Sequence, residues 1–117
     1  MKVSIYHNPR CSKSRRTLEL LTERGIEPEI IHYLESPPDA DRLSSIIAML
    51  DIAPRQLMRT GEPEYRELGL DAEDVSDERI IAAMVSHPRL MERPVVVAGT
   101  RACIGRPPER INEILDQ

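Results

Sequence analysis

Apolar and polar residues alternate at the start of the chain. Val3 and Ile5 fall on one side with Tyr6 beside them, a spacing that predicts a strand over Lys2–His7. The period then lengthens. Thr17, Leu18, Leu20 and Leu21 predict the buried stripe of a helix from Ser12 to about Arg24, with Gly25 as its C-terminal stop. Glu29–Leu34 reads as a second strand. Strand, helix and strand joined this closely predict a parallel, right-handed βαβ unit.

Ser36-Pro37-Pro38-Asp39 announces another helix, with Ser36 as the cap, Pro37 in the first turn and Asp39 as the reciprocal capping residue. Leu43, Ile46, Ile47 and Leu50 follow at helical spacing. Between Asp51 and Leu70 the pattern is broken by Pro54, Gly61, Pro63 and Gly69, which leaves room for short helical pieces at Pro54–Arg59 and Pro63–Leu68. Asp77–Ser86 predicts a further helix with Ile80, Ile81, Met84 and Val85 on one side. Pro94–Ala98 and Arg101–Ile104 predict two strands joined at Gly99-Thr100 as a hairpin, and a last helix opens at Gly105–Glu109 with Ile111, Ile114 and Leu115 facing inward. The order is β-α-β, a helical block, then β-β-α: an α/β fold.

Composition narrows the picture. The 117 residues suit one domain, and with no Phe or Trp and three Tyr the core must be aliphatic. A formal net charge of −4 argues against a general nucleic-acid or anionic-membrane binder, while local basic clusters remain suited to a small anion. No apolar run approaches the roughly 20 residues of a membrane span. The N-terminus enters a strand pattern without the features of a signal peptide, so a cytoplasmic protein is expected. Two cysteines 92 positions apart make no disulfide framework, and both are expected as thiols.

The candidate chemistry centres on Cys11. It ends a loop after the first strand, directly before a helix, where unpaired N–H groups and nearby cations favour a thiolate. Arg10, Lys13, Arg15 and Arg16 supply local charge, Ser14 lies one turn along, and His7 sits across the loop. Taken from the residues alone, Cys11 reads as a nucleophile or as a buried cysteine that happens to start a helix. Arg59, Arg93 and Arg106 stand at the ends of predicted elements, as oxyanion forks or as surface ion pairs. The Arg93–Pro94 bond at a strand start is a candidate cis peptide. Cys103 reads as a buried structural thiol. No metal is expected, because His7, Cys11, His32 and His87 show no closed ligand spacing.

Three runs carry a resemblance: His7-Asn8-Pro9-Arg10-Cys11-Ser12-Lys13-Ser14-Arg15, Glu92-Arg93-Pro94-Val95-Val96-Val97 and Ile104-Gly105-Arg106-Pro107-Pro108-Glu109. With Ile31–Pro38 and Glu67–Leu70 between them, they make nearly the whole chain similar, in order, to the glutaredoxin-linked arsenate reductases, the ArsC family. The resemblance implies one thioredoxin-like domain over 1–117 with a mixed four-stranded sheet and a helical insertion at about 36–90. It implies that Cys11 is the nucleophile, that His7 and Ser14 hold its thiolate, that Arg59, Arg93 and Arg106 bind the oxyanion, and that Pro94 is the fold's cis-proline. It further implies arsenate as substrate, glutathione as co-substrate, glutaredoxin as the partner that resolves a mixed disulfide, and no bound cofactor.

Two departures from the well-known resistance enzymes stand out. The sequence ends at Gln117, where those enzymes carry a longer tail, and Ser12-Lys13 follows Cys11 where they commonly have Gly and Thr. Both suggest a shorter branch whose substrate in the cell is open. The runner-up readings are an Spx-like regulator that binds RNA polymerase and a thiol-redox protein with another substrate. Many Spx-like proteins use a Cys-x-x-Cys switch. Here Ser14 occupies the second cysteine's position.

Overall fold

In the computed structural model, which describes residues 2–115, the strand β1 (Val3–Tyr6) runs at the centre of a four-stranded sheet. It pairs in parallel with β2 (Glu29–Ile31) and antiparallel with β3 (Val95–Ala98), and β3 pairs antiparallel with β4 (Arg101–Ile104). The sheet order is β2-β1-β3-β4. This mixed sheet with a βαβ start and a ββα end is the thioredoxin-like arrangement. Met1, Asp116 and Gln117, the ends of the expected 1–117 domain, lie outside the described residues.

The chain divides into two compact units. One comprises Met1–Ser36 and Arg93–Gln117, the other Pro37–Glu92. In the first, β1 and β3 are buried at every position, as expected of inner strands. Helix α1 (Ser12–Glu23) crosses from β1 to β2 and is capped at Arg24, followed by Gly25, whose φ of +76° suits glycine. Val3, Ile5, Leu21, Val96, Ala98, Cys103, Ile111 and Ile114 form a core cluster without an aromatic ring, and Tyr6 and Tyr33 of the same unit are buried as well. Burial of each large aliphatic side chain is worth about 1.5–3 kcal/mol.

The second unit holds α2 (Ala40–Leu50), α3 (Pro54–Leu57), α4 (Pro63–Glu67) and α5 (Asp77–Ser86). Leu43, Ile46, Ile47, Leu57, Ile80 and Met84 are among its buried aliphatics, with Met58, Leu70, Leu90 and Met91. Asp39 caps α2 by accepting the Arg42 N–H at 2.8 Å, and Ser76 caps α5 by accepting from Arg79.

Several boundaries differ from those the pattern predicts. The second strand stops at Ile31: its carbonyl accepts the His7 N–H at 2.8 Å as β1 leaves the sheet, and His32 then turns the chain by accepting from Glu35 and Ser36. Helix α2 begins at Ala40 rather than at Pro37, because Asp39 takes the capping position assigned to Ser36. The last helix is a 3-10 turn over Pro108–Ile111 followed by α6 (Asn112–Leu115). On α1 the fully buried stripe is Ser14, Thr17 and Leu21, with Leu18 and Leu20 only partly covered. The two polar members are tolerated because both hydroxyls are paired; that of Thr17 donates to the Lys13 carbonyl at 2.8 Å.

Candidate active site

The loop from β1 into α1 builds the site. The Cys11 N–H donates to the Asn8 carbonyl at 3.0 Å, closing a turn through Pro9 and Arg10. The Asn8 side chain tightens the turn by accepting the Arg10 N–H at 3.0 Å. Cys11 is then the N-cap of α1, with extended φ and ψ of −94° and 123° and no capping bond from its side chain. Serine or aspartate at this position would turn its oxygen back onto the helix. The Cys11 carbonyl accepts the first helical bond, from Arg15 at 3.0 Å, so the N–H groups of Ser12, Lys13 and Ser14 lie outside the ladder at the positive end of the helix dipole.

Arg106 brings a cation to the sulfur. Its Nη1 lies 3.8 Å from Cys11 Sγ and donates to the Arg93 carbonyl at 3.1 Å. The backbone beneath is tightly set. Gly105 N–H donates to the Pro94 carbonyl at 2.9 Å, and a Cβ on Gly105 would come within 2.7 Å of Thr17 Oγ1 and 2.9 Å of Pro94 Cγ. Arg93–Pro94 is cis, and so is Arg106–Pro107, which the sequence reading did not single out. Arg93 and Pro94 therefore sit beside the Gly105-Arg106 turn, within the same unit as Cys11.

His7 and Ser14 meet below the loop. His7 Nδ1 and Ser14 Oγ are 2.6 Å apart, and the same Oγ accepts the Asn8 N–H at 3.0 Å. Both side chains are buried, His7 at 5% exposure and Ser14 at none. Burial lowers the His7 pKa below its ordinary value, helped by His32 and Arg15. His32, which the sequence reading left within a strand, presents its ring edge-on at 6.1 Å from that of His7. The other basic residues of the loop face water: Arg10 and Lys13 are exposed, Arg15 donates to the Pro9 carbonyl, and Arg16 pairs with Glu19 and Glu23.

Arg59 belongs to the second unit. Its Nη1 donates to Glu92 Oε1 at 3.1 Å, and its Nε lies 4.0 Å from Glu62 Oε2. Neither carboxylate was picked out from the sequence, although Glu92 stands immediately before Arg93. Cys103 lies on β4 at 3% exposure, and burial pushes its thiol up to about 11. Among the described residues no group of three or more His, Cys, Asp or Glu is gathered to hold a metal ion, and no helix is long and apolar enough to cross a membrane. A cleft of about 750 Å³ opens between the end of α1 and the start of β1, lined by Lys2, Val3, Arg24 and Glu29 among others, and Cys11 takes no part in it.

Comparison with known proteins follows these residues. The sequence model of the ArsC family matches residues 6–114. The uncharacterized protein YfgD of Escherichia coli K12 is 54% identical over 97% of this chain and 97% of its own length. An arsenate reductase of the same strain is 49% identical over 97% of this chain and 80% of its own length. Among solved structures, the arsenate reductase from Vibrio cholerae superposes with a TM-score of 0.96 at 48% identity, covering 98% of both chains.

Proposed function

We propose that this chain, which belongs to the ArsC family, is an arsenate reductase whose nucleophile is Cys11. The single observation that carries the reading is the guanidinium of Arg106 at 3.8 Å from Cys11 Sγ, anchored on the Arg93 carbonyl at the open N-terminus of α1. A cation and free N–H groups beside one sulfur suit both a thiolate and an incoming oxyanion.

In this reading the Cys11 thiolate attacks arsenic and a sulfur–arsenic bond forms as one arsenate oxygen leaves as water after protonation. Arsenic remains at oxidation state five. The thiolate of glutathione then attacks Cys11 Sγ. A sulfur–sulfur bond forms, the electron pair of the sulfur–arsenic bond passes to arsenic, and arsenite departs. Glutaredoxin with a second glutathione exchanges the mixed disulfide and returns Cys11 to the thiolate. Ser14 leaves no second thiol one turn along, so the resolving thiol comes from outside the chain. Two glutathiones supply the two electrons, no bound cofactor is required, and the cytoplasm, where glutathione is kept reduced, is the fitting compartment.

The roles of the remaining residues follow from their chemistry. Arg106 and Arg93, with Arg59 by its position in the family's motif, are assigned to the oxyanion. His7 and Ser14 act as a pair. When the neutral imidazole donates its Nδ1 proton to Ser14 Oγ, the serine hydroxyl proton is free to turn toward Cys11 Sγ and support negative charge there. Pro94 supports the turn beneath Arg106.

The test is arsenate-dependent NADPH oxidation with glutathione, glutaredoxin and glutathione reductase. Wild type turns over and Cys11→Ser does not. Equal rates for the two, or no arsenate-dependent rate in wild type, would remove the assignment.

A further inference from the structure

The Arg59 guanidinium is held by the protein's own carboxylates, and the backbone is arranged to put them there. Met58 and Met91 face each other in an isolated antiparallel bridge. On either side of it the Arg59 N–H donates to the Leu90 carbonyl at 2.6 Å and the Glu92 N–H donates to the Leu57 carbonyl at 2.8 Å. Leu57, Met58, Leu90 and Met91 are all buried, so the two segments are fastened from below. The side chains of Arg59 and Glu92 therefore meet at a fixed register, less than a third exposed, rather than as two mobile surface groups.

Charge and geometry point the same way. Arg59 Nη1 donates to Glu92, while its Nε is buried near Glu62 and makes no hydrogen bond. Glu62 is shared with Arg89 at 3.1 Å, and Arg89 also lies 3.8 Å from Glu64. Glu62 thus lies between the guanidiniums of Arg59 and Arg89, with Glu92 on the first and Glu64 beside the second. An arginine grips a tetrahedral oxyanion with two parallel N–H groups. With Nη1 on Glu92 and Nε buried, an oxyanion that reaches Arg59 meets a guanidinium whose charge and part of whose fork a carboxylate already holds.

We propose that Glu92 is a specificity-determining residue that competes with the oxyanion for Arg59, so that this protein binds arsenate less tightly than its three arginines alone would allow. The proposal rests on the assignment of Arg59 to the oxyanion made above. It makes Glu92 a positioning residue: it acts on substrate through Arg59.

The experiment measures how inorganic phosphate slows iodoacetamide labelling of Cys11 in the full chain, alongside KM and kcat for arsenate. Glu92→Gln keeps the shape of the side chain and removes its charge. It is expected to lower the half-protecting phosphate concentration by about tenfold, equivalent to about 1.4 kcal/mol, and to lower KM for arsenate by a similar factor while kcat changes far less. Glu62→Gln is expected to act in the same direction more weakly, because Arg89 shares that carboxylate. Arg59→Ala is expected to raise both constants, and adding Glu92→Gln to it should have no further effect. If Arg59→Ala weakens protection but Glu92→Gln leaves it unchanged or weaker, the competition is wrong and the assignment of Arg59 survives. If Arg59→Ala changes nothing, both fall.

Discussion

The two cysteines sit in the same unit and could hardly differ more. Cys11 is half-exposed at the start of a helix, with a guanidinium 3.8 Å from its sulfur. Cys103 is buried on β4 opposite Val96, among Val3, Ile5, Leu21 and Ile111. Its thiol is pushed up to about 11, first by burial, with Glu113 adding to the shift and Arg110 opposing it. The difference teaches that reactivity here belongs to the setting. A thiol packed in aliphatic surroundings is a core side chain, and one at an open helix end beside a cation has the setting that the proposed reaction needs.

The largest effect that could break this contrast is labelling. At pH 8 a thiol titrating near 11 is ionised in roughly one molecule in a thousand, and Cys103 is covered as well. Iodoacetamide should therefore modify Cys11 far faster than Cys103 in the native protein, with Cys103 reacting only on unfolding. Comparable rates measured by peptide mass mapping would erase the distinction. Next in size is the cation. Arg106→Ala should lower kcat/KM for arsenate by about a hundredfold, the usual loss for one group that stabilises developing charge. Arg106→Lys should restore only part of it: Nη1 alone meets both the sulfur and the Arg93 carbonyl, and lysine lacks the planar fork whose other N–H groups suit an oxyanion.

The scaffold beneath the contrast comes third. A methyl on Gly105 meets Thr17 and Pro94 inside van der Waals distance, so Gly105→Ala should cost about 1–3 kcal/mol in urea unfolding. A wild-type midpoint would mean that α1 and the Arg106 turn are not packed as described. The smallest effect concerns His7. Its folded pKa lies below the ordinary value of 6.5, so the unfolded chain takes up the proton first. The stability it contributes is complete above about pH 6.5 and is lost as pH falls through the folded pKa. Unfolding at pH 7.5 and 5.5 should show wild type losing more stability than His7→Gln. Equal losses would show that His7 is not held neutral by burial.

The sequence pattern makes much of this legible, and where it fails the reasons are physical. The strand-loop-helix text around Cys11 is local, and so are the hairpin at Gly99-Thr100 and the helix Asp77–Ser86 capped by Ser76. The end of the second strand is not local: Ile31 is the last ladder partner because β1 turns away at His7. Ser36 and Asp39 are both good caps, and only the fold selects Asp39. Ser14 falls on the buried stripe of α1 because its hydroxyl is paired with His7 seven residues earlier, across a loop that no helical or strand period spans. The Arg59–Glu92 pair joins positions 33 apart through a bridge of two buried methionines, and nothing in the text around either residue announces it.

The most direct test of the central claim is to incubate the wild-type protein with arsenate and glutathione, without glutaredoxin, and map the cysteines by mass spectrometry. A glutathione adduct is expected on Cys11 alone, formed only when arsenate is present and removed on adding glutaredoxin. An adduct on Cys103, an adduct on Cys11 that forms equally without arsenate, or no adduct at all would contradict it.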